Sequence, residues 1–349
     1  MEMGEKLKKL IIVICLILVL FFCRGLRQFI PRETREPLPR PLPAQPKILA
    51  FYEEGWGGIY AGSMARLHEV GDKLAAVSPV WLGLKADGQV DWDKTDTAAA
   101  SFLIRKQLDF FVLVTAGSGR NIAAILASGN HRRNALRTIA AYVARVRADG
   151  VCLDFEYVNP ACKAELLLFA REAKKILKGK RLFMTVFPYV DWSEPTKTAY
   201  DLPGLGEICD GVIVMTYDQH RPADAPGPIA AREWVKDNLT YFLARIPARK
   251  LWLGVAGYGY RWRTGVKRAT ALPAWYCREI AVQKGIRRTY QPETGNEMIR
   301  LTGEGGATII WWEGCRGMRE KLALAAKRRL AGVALWRLGY EEKDFWEEG

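Results

Sequence analysis

Eight short apolar runs, separated by segments with helical periodicity, constrain this chain more than any other feature. The runs are KILAFYE (47–53), VSPVWLGL (77–84), DFFVLVT (109–115), VCLDFEYV (151–158), RLFMTVFP (181–188), GVIVMTY (211–217), KLWLGVAGY (250–258) and GVALWRL (332–338). They are rich in Val, Ile, Leu and aromatic residues, which favour strands. Between them lie segments such as CKAELLLFAREAKKILKG and REWVKDNLTYFLARI, whose apolar residues recur at three and four. Strand–helix alternation implies a parallel sheet, and eight such units close naturally into a (β/α)8 TIM barrel with no edge strand. An open doubly wound sheet is the competitor, but AFYEEGWGGIYAG after the first run does not match its GxGxxG phosphate turn. The interval from Arg261 to Gly332 is too long for one helix. It predicts a small α+β insertion between strands 7 and 8, with ATIIWWE as one of its strands.

The N-terminus is a separate object. An unbroken apolar run from Leu10 to Cys23 follows Lys6, Lys8 and Lys9 and precedes Arg24 and Arg27. Fourteen residues is short of the roughly 20 that span a bilayer and matches a signal-peptide core. No small-residue cleavage site follows, so residues 1–30 are expected to be a cytoplasmic stub and an uncleaved membrane anchor, lengthened by snorkelling arginines; a buried core helix is the alternative. Six prolines between Pro31 and Pro46 favour an extended spacer, giving a linker over 31–46 and a folded domain over 47–349. The expected location is the extracytoplasmic face of a membrane, at a cell surface or spore envelope.

A net charge of +14 admits an anionic partner, but no zinc-finger spacing, RNP-like signature or dense basic run outside the N-terminus points to nucleic acid. A cell wall or membrane surface suits the charge equally well. The seven cysteines form no CxxC pair and the three histidines, His68, His131 and His220, are far apart. Neither a disulfide framework nor a metal site is expected, and no cofactor is implied. A monomer is expected.

The run at 151–158 interrupts its apolar character with two acids. Alternation sends Val151, Leu153 and Phe155 to one side and Cys152, Asp154 and Glu156 to the other. In a barrel the second set points inward, and Glu156 stands at the carboxyl end of its strand, where barrel enzymes keep their active sites. An unpaired buried charge is costly, so acids at that mouth point to chemistry.

With Asp149, Gly150, Asp154 and Glu156 in register, the segment resembles the D-G-x-D-x-D-x-E strand of glycoside hydrolase family 18. Cys152 departs from it where the family usually has Asp or Asn. DGVIVMTYDQH resembles the family's M-x-Y-D strand through Met215, Tyr217 and Asp218; LGVAGYGYRW and GVALWRLGYEEKDFW resemble its last two strands, the latter with Trp336. The likeness is to the spore-germination and cortex-lytic N-acetylglucosaminidase branch and covers 47–349, with the anchor and stalk in place of that branch's LysM wall-binding repeats. It implies substrate-assisted retaining hydrolysis, an exception to the usual pair of carboxyls about 5–5.5 Å apart. Glu156 would protonate the glycosidic oxygen, Asp154 would orient the substrate's acetamido group as it attacks, and Tyr217 would hydrogen-bond the acetamido oxygen. Asp149, Cys152, Met215, Asp218, Tyr258 and Trp336 are the expected substrate-contacting residues, with Tyr260, Trp262, Trp311 and Trp312 as further candidates for a sugar cleft. The substrate is expected to be peptidoglycan. Chitin oligomers, or sugar binding without catalysis, are the alternatives.

Overall fold

The computed structural model describes residues 46–191, 198–286, 289–303 and 306–347. The expected anchor and the linker up to residue 45 lie outside the described residues. Among the described residues, no helix is long and apolar enough to cross a membrane.

The apolar runs form strands β1 (Lys47–Tyr52), β2 (Ala76–Leu84), β4 (Phe111–Thr115), β5 (Gly150–Leu153), β6 (Arg181–Val186), β7 (Gly211–Val214), β8 (Leu251–Ala256) and β14 (Gly332–Trp336). They pair in parallel in the order β1-β14-β8-β7-β6-β5-β4-β2, and β2 returns to β1. The register Lys47↔Gly332 to Ala50↔Leu335 on one side of β1, and Leu49↔Ala76 to Tyr52↔Pro79 on the other, closes the barrel. A short strand β3 (Val90–Asp93) hangs on β2 antiparallel, outside the closed ring. Its burial is slight and its sequence VDWD is half acidic, so no apolar run announced it.

Alternation divides the core in two. Inward residues Leu49, Phe51, Phe111, Leu113, Cys152, Phe183, Ile213, Trp252 and Ala334 fill the barrel. Outward residues such as Val112, Val151, Leu153 and Val212 pack under the helices. The helix Gly129–Val146 shows how the outer layer is encoded. Ala135, Leu136, Ile139, Tyr142, Val143 and Val146 form one buried face, and the Ser128 hydroxyl accepts from His131 N to cap the first turn. The helix Lys163–Ile176 buries Leu166, Phe169, Ala170 and Ala173 in the same way.

Between β8 and β14 the insertion forms an antiparallel sheet of β9 (Tyr258–Arg263), β10 (Thr270–Pro273), β11 (Tyr290–Gln291), β12 (Asn296–Gly303) and β13 (Gly306–Trp312), with a helix at Ala274–Gln283. It has its own core, Leu272, Cys277, Ile299, Ile310 and Trp312 among others. The expected run to residue 258 therefore divides at Gly257, where the chain leaves the parallel barrel and Tyr258 begins the insertion sheet.

Candidate active site

The strand carrying the acids stops at Leu153. Asp154 N still donates to Val114 O at 2.9 Å, and the backbone then peels away from the ladder. Phe155 anchors the departing segment: it is fully buried, 5.4 Å between centroids from Phe169, and its carbonyl accepts from Tyr200 OH at 2.9 Å. Tyr157 then adopts a left-handed φ of 52°. Asp154 and Glu156, on either side of that anchor, face a pocket of about 300 Å³ that also takes in Met215, Tyr217, Asp218 and Tyr258. Trp336 also lines it and packs on the barrel interior, 5.2 Å from Phe51 between ring centroids.

Each acid has a distinct environment. Asp154 Oδ1 accepts from Thr185 Oγ1 at 2.6 Å; burial raises its pKa, and that hydrogen bond opposes the rise. Glu156 is pushed up further, to about 8, first by burial and then by the negative charges of Asp154 and Asp218. It is therefore protonated at neutral pH. Asp218, at a left-handed φ of 59°, accepts from the hydroxyls of Tyr258 and Tyr260, the latter at 2.8 Å. Burial raises Asp218 as well, against those two bonds. Tyr217 is 8% exposed and held far above the ordinary phenol value by burial, so it stays a neutral donor.

Two of the residues expected to contact substrate stand elsewhere. Asp149 precedes β5 at the opposite end of the barrel, where its carboxylate accepts from Phe110 N at 3.1 Å and its carbonyl from Arg181 N at 2.9 Å. Five residues of extended chain put it roughly 16 Å from Asp154, so its side chain fastens neighbouring strands. Cys152 is wholly buried in the barrel packing, one layer beneath the pocket, and burial raises its thiol pKa well above the usual value. The hydrogen-bonding partner of Asp154 comes instead from Thr185 on the neighbouring strand β6. Trp262, whose Nε1 donates to Asp224 O, and Trp312, whose Nε1 donates to Glu342, serve packing; neither lines the pocket, nor does Trp311, while Tyr260 does. Sequence reasoning missed Glu53, Arg337, Trp56, Tyr60 and Tyr340, all of which line the pocket. Glu53 and Arg337 follow the barrel's first and last strands, far apart in sequence, and carry no local motif.

A closed parallel barrel with two carboxyls at one strand's mouth, the outer one with its pKa raised by burial, and a wall of tyrosines has the make-up of a barrel glycosidase. Residues 81–341 match the model for glycosyl hydrolases family 18, and the chain belongs to that family. Among curated proteins it is similar to the uncharacterized glycosylase YvbX of Bacillus subtilis, 27% identical over 208 residues, 57% of this chain and 59% of that protein. It is also similar to the cortical fragment-lytic enzyme of Bacillus subtilis, 26% identical over 224 residues, 62% of this chain and 52% of that protein. The chain thus spans between half and three-fifths of the length of these relatives. Among solved structures, a chitinase from Chromobacterium violaceum superposes with a TM-score of 0.78 at 26% identity, over 86% of this chain and 96% of that one. Among the described residues no group of His, Cys, Asp and Glu side chains has the arrangement to hold a metal ion.

Proposed function

We propose that this protein hydrolyses β-1,4-linked polysaccharide containing N-acetylglucosamine, by retaining catalysis in which the substrate's acetamido group is the nucleophile. The observation that carries the proposal is the placement of Glu156 beside Asp154 in the pocket at the barrel mouth, where burial and the neighbouring carboxylates favour the protonated form of Glu156. Glu156 gives its proton to the glycosidic oxygen as that bond breaks. The acetamido carbonyl oxygen bonds to the anomeric carbon, and Asp154, pinned by Thr185, accepts from the acetamido N–H and balances the oxazolinium charge. Tyr217 donates to the acetamido oxygen, and Trp336 provides an apolar floor. Water then opens the ring and returns a proton to Glu156.

Peptidoglycan is the substrate we favour. The similarity to a cortical fragment-lytic enzyme supports it, and the charge of +14 suits an anionic wall. The apolar N-terminal segment would hold the protein at a membrane as a monomer facing that wall. Incubating the protein with spore-cortex fragments and with chitin oligomers, and identifying the products by mass spectrometry, tests the proposal. Cleavage of cortex fragments that is lost in Glu156→Gln is the expected result; cleavage of chitin alone would move the substrate to chitin.

A further inference from the structure

The end of the barrel opposite the acids carries a charge that the chemistry above does not use. There the helices hand over to the strands, and the turns are basic. AKKILKGKR (173–181) leads into β6, ARIPARK (244–250) into β8 and AKRR (326–329) toward β14. Helix C-termini favour cations, which accounts for Lys174, Lys175 and Lys327 in last turns. It does not account for Arg147, Lys178, Arg249, Arg328 and Arg329. These lie past the helix ends, are exposed and form no ion pair among the described residues.

Three of them hold left-handed backbone: Arg147 at a φ of 60°, Lys178 at 43° and Arg329 at 53°. Glycine takes that conformation most easily at a helix end, so a charge stands where the backbone alone would favour none. The acids of this end are mostly engaged: Asp72 pairs with Lys106, Asp109 with Arg181 and Asp210 with Lys174, while Asp149 accepts from Phe110 N. Ala331 N donates to Ala248 O and Leu251 O at 3.0 Å, which sets the Arg249 turn against the turn of Arg328 and Arg329. At the other end, the loops after β1, β5 and β7 carry Glu53, Glu54, Asp154, Glu156, Asp218 and Asp224, with Arg221 their one Lys or Arg.

The chain enters the barrel at the basic end. Lys47 pairs with Gly332 at the start of both strands, so residues 1–45 attach there. Residues 24–45 separate the apolar run from Pro46 and reach at most about 70–80 Å. Such a tether limits distance from a bilayer without fixing which end of the barrel faces it. Exposed cations near anionic headgroups do fix it, each strengthening attachment about fivefold. A wall polymer held at this end would instead lie a barrel's length from the acids.

We propose that this basic end is a docking surface for anionic lipid headgroups, which seats the barrel on a bilayer with its catalytic mouth pointing away. The proposal rests on the membrane reading of the N-terminal segment and adds the face and the lipid chemistry.

Lysine footprinting of the full-length protein on vesicles tests it. The protein is reconstituted in phosphatidylcholine alone or with about one-third phosphatidylglycerol, and a membrane-impermeant acylating reagent is read at each lysine by mass spectrometry. Lys175 and Lys178 should react about fivefold or more slowly on the anionic vesicles. Lys85, just after β2, and Lys267, between β9 and β10, should change by less than about twofold. The protection should disappear at about 0.5 M salt. It should also disappear, read at Lys175, when Arg147→Gly, Lys178→Gly and Arg329→Gly are combined. Glycine suits the backbone at all three positions, so this variant should stay folded and cleave a soluble oligosaccharide as wild type does. Equal labelling on both vesicles would overturn the docking surface and leave the membrane reading intact. Protection by soluble poly(glycerol phosphate) on neutral vesicles, without protection by anionic lipid, would assign the surface to a wall polymer and overturn it as well. Full-length protein that sediments with neither vesicle would remove the membrane reading, and the docking surface with it.

Discussion

Glu156 and Asp154 are two positions apart, and each depends on what its neighbours do to its proton. Glu156→Gln keeps shape and removes the donor, so turnover should fall by about 10²–10⁴-fold while sugar binding survives; activity within tenfold of wild type would take Glu156 out of the acid role. The same variant has a pH signature. The folded pKa of about 8 lies above the ordinary 4.5, so the folded state holds the proton more tightly than the unfolded state. Stability from this group is complete below about 4.5 and is lost as pH rises toward 8. Glu156→Gln should therefore match wild type in melting temperature near pH 4 and exceed it by a growing margin toward pH 8, at roughly 2 °C per kcal/mol in a chain of this size. A constant difference across that range would contradict the raised pKa. Cys152 invites the opposite experiment. Its side chain fills the barrel, and Thr185 already serves Asp154. Cys152→Asn should thus bring an amide without partners, cost about 1–3 kcal/mol of stability and give no gain in turnover. Thr185→Val should lower turnover by about tenfold or more and, because it leaves the buried Asp154 without its donor, also cost about 1–3 kcal/mol of stability. The acids were legible in the sequence because alternation assigns them a side and a motif assigns them an end. Thr185 was not, because its role depends on the neighbouring strand's register, Leu153↔Met184, and nothing local records register.

At the scale of elements, glycines mark where strands come too close for a side chain. A Cβ on Gly150 would lie 2.0 Å from Arg181 O, which accounts for the glycine after Asp149 at the start of β5. A Cβ on Gly254 would lie 2.5 Å from Val214 O and 3.0 Å from the Tyr217 ring. Gly254→Ala should therefore push β8 away from β7 and displace Tyr217, lowering both the melting temperature and turnover; full activity with normal stability would show that the barrel gives way there at no cost. All eight barrel strands were legible because each is an apolar run bounded by turn residues. The insertion was legible only as an interval too long for one helix. Four of its five strands escaped the sequence because its sheet mixes exposed and buried positions, as in the burial of β12, where Asn296 and Ile299 are buried and Arg300 is exposed. The side of the pocket formed by Glu53 and Arg337 escaped for a different reason. The two residues meet only when the first and last strands pair.

For the whole molecule, the described barrel and insertion contain the hydrophobic clusters. A chain cut to residues 47–349 should therefore be soluble, monomeric and cooperatively folded, as circular dichroism and gel filtration would report. Aggregation of that chain beside a soluble full-length protein would mean that the preceding residues contribute to the fold.

The pairing of β1 with β14 also sets a schedule. β1 is among the first segments of the barrel to be made, and one of its two neighbours follows roughly 285 residues later, about 15–60 s at a translation rate of about 5–20 residues per second. Until Gly332–Trp336 emerges, β1 and β8 each present an unsatisfied edge, and such edges invite pairing with other chains. A stop placed before Gly332 should make that exposure permanent and send the product into inclusion bodies, although seven of the eight barrel strands would be present. The waiting time, more than the stability of the finished ring, sets how long the growing barrel is open to pairing with the wrong chain.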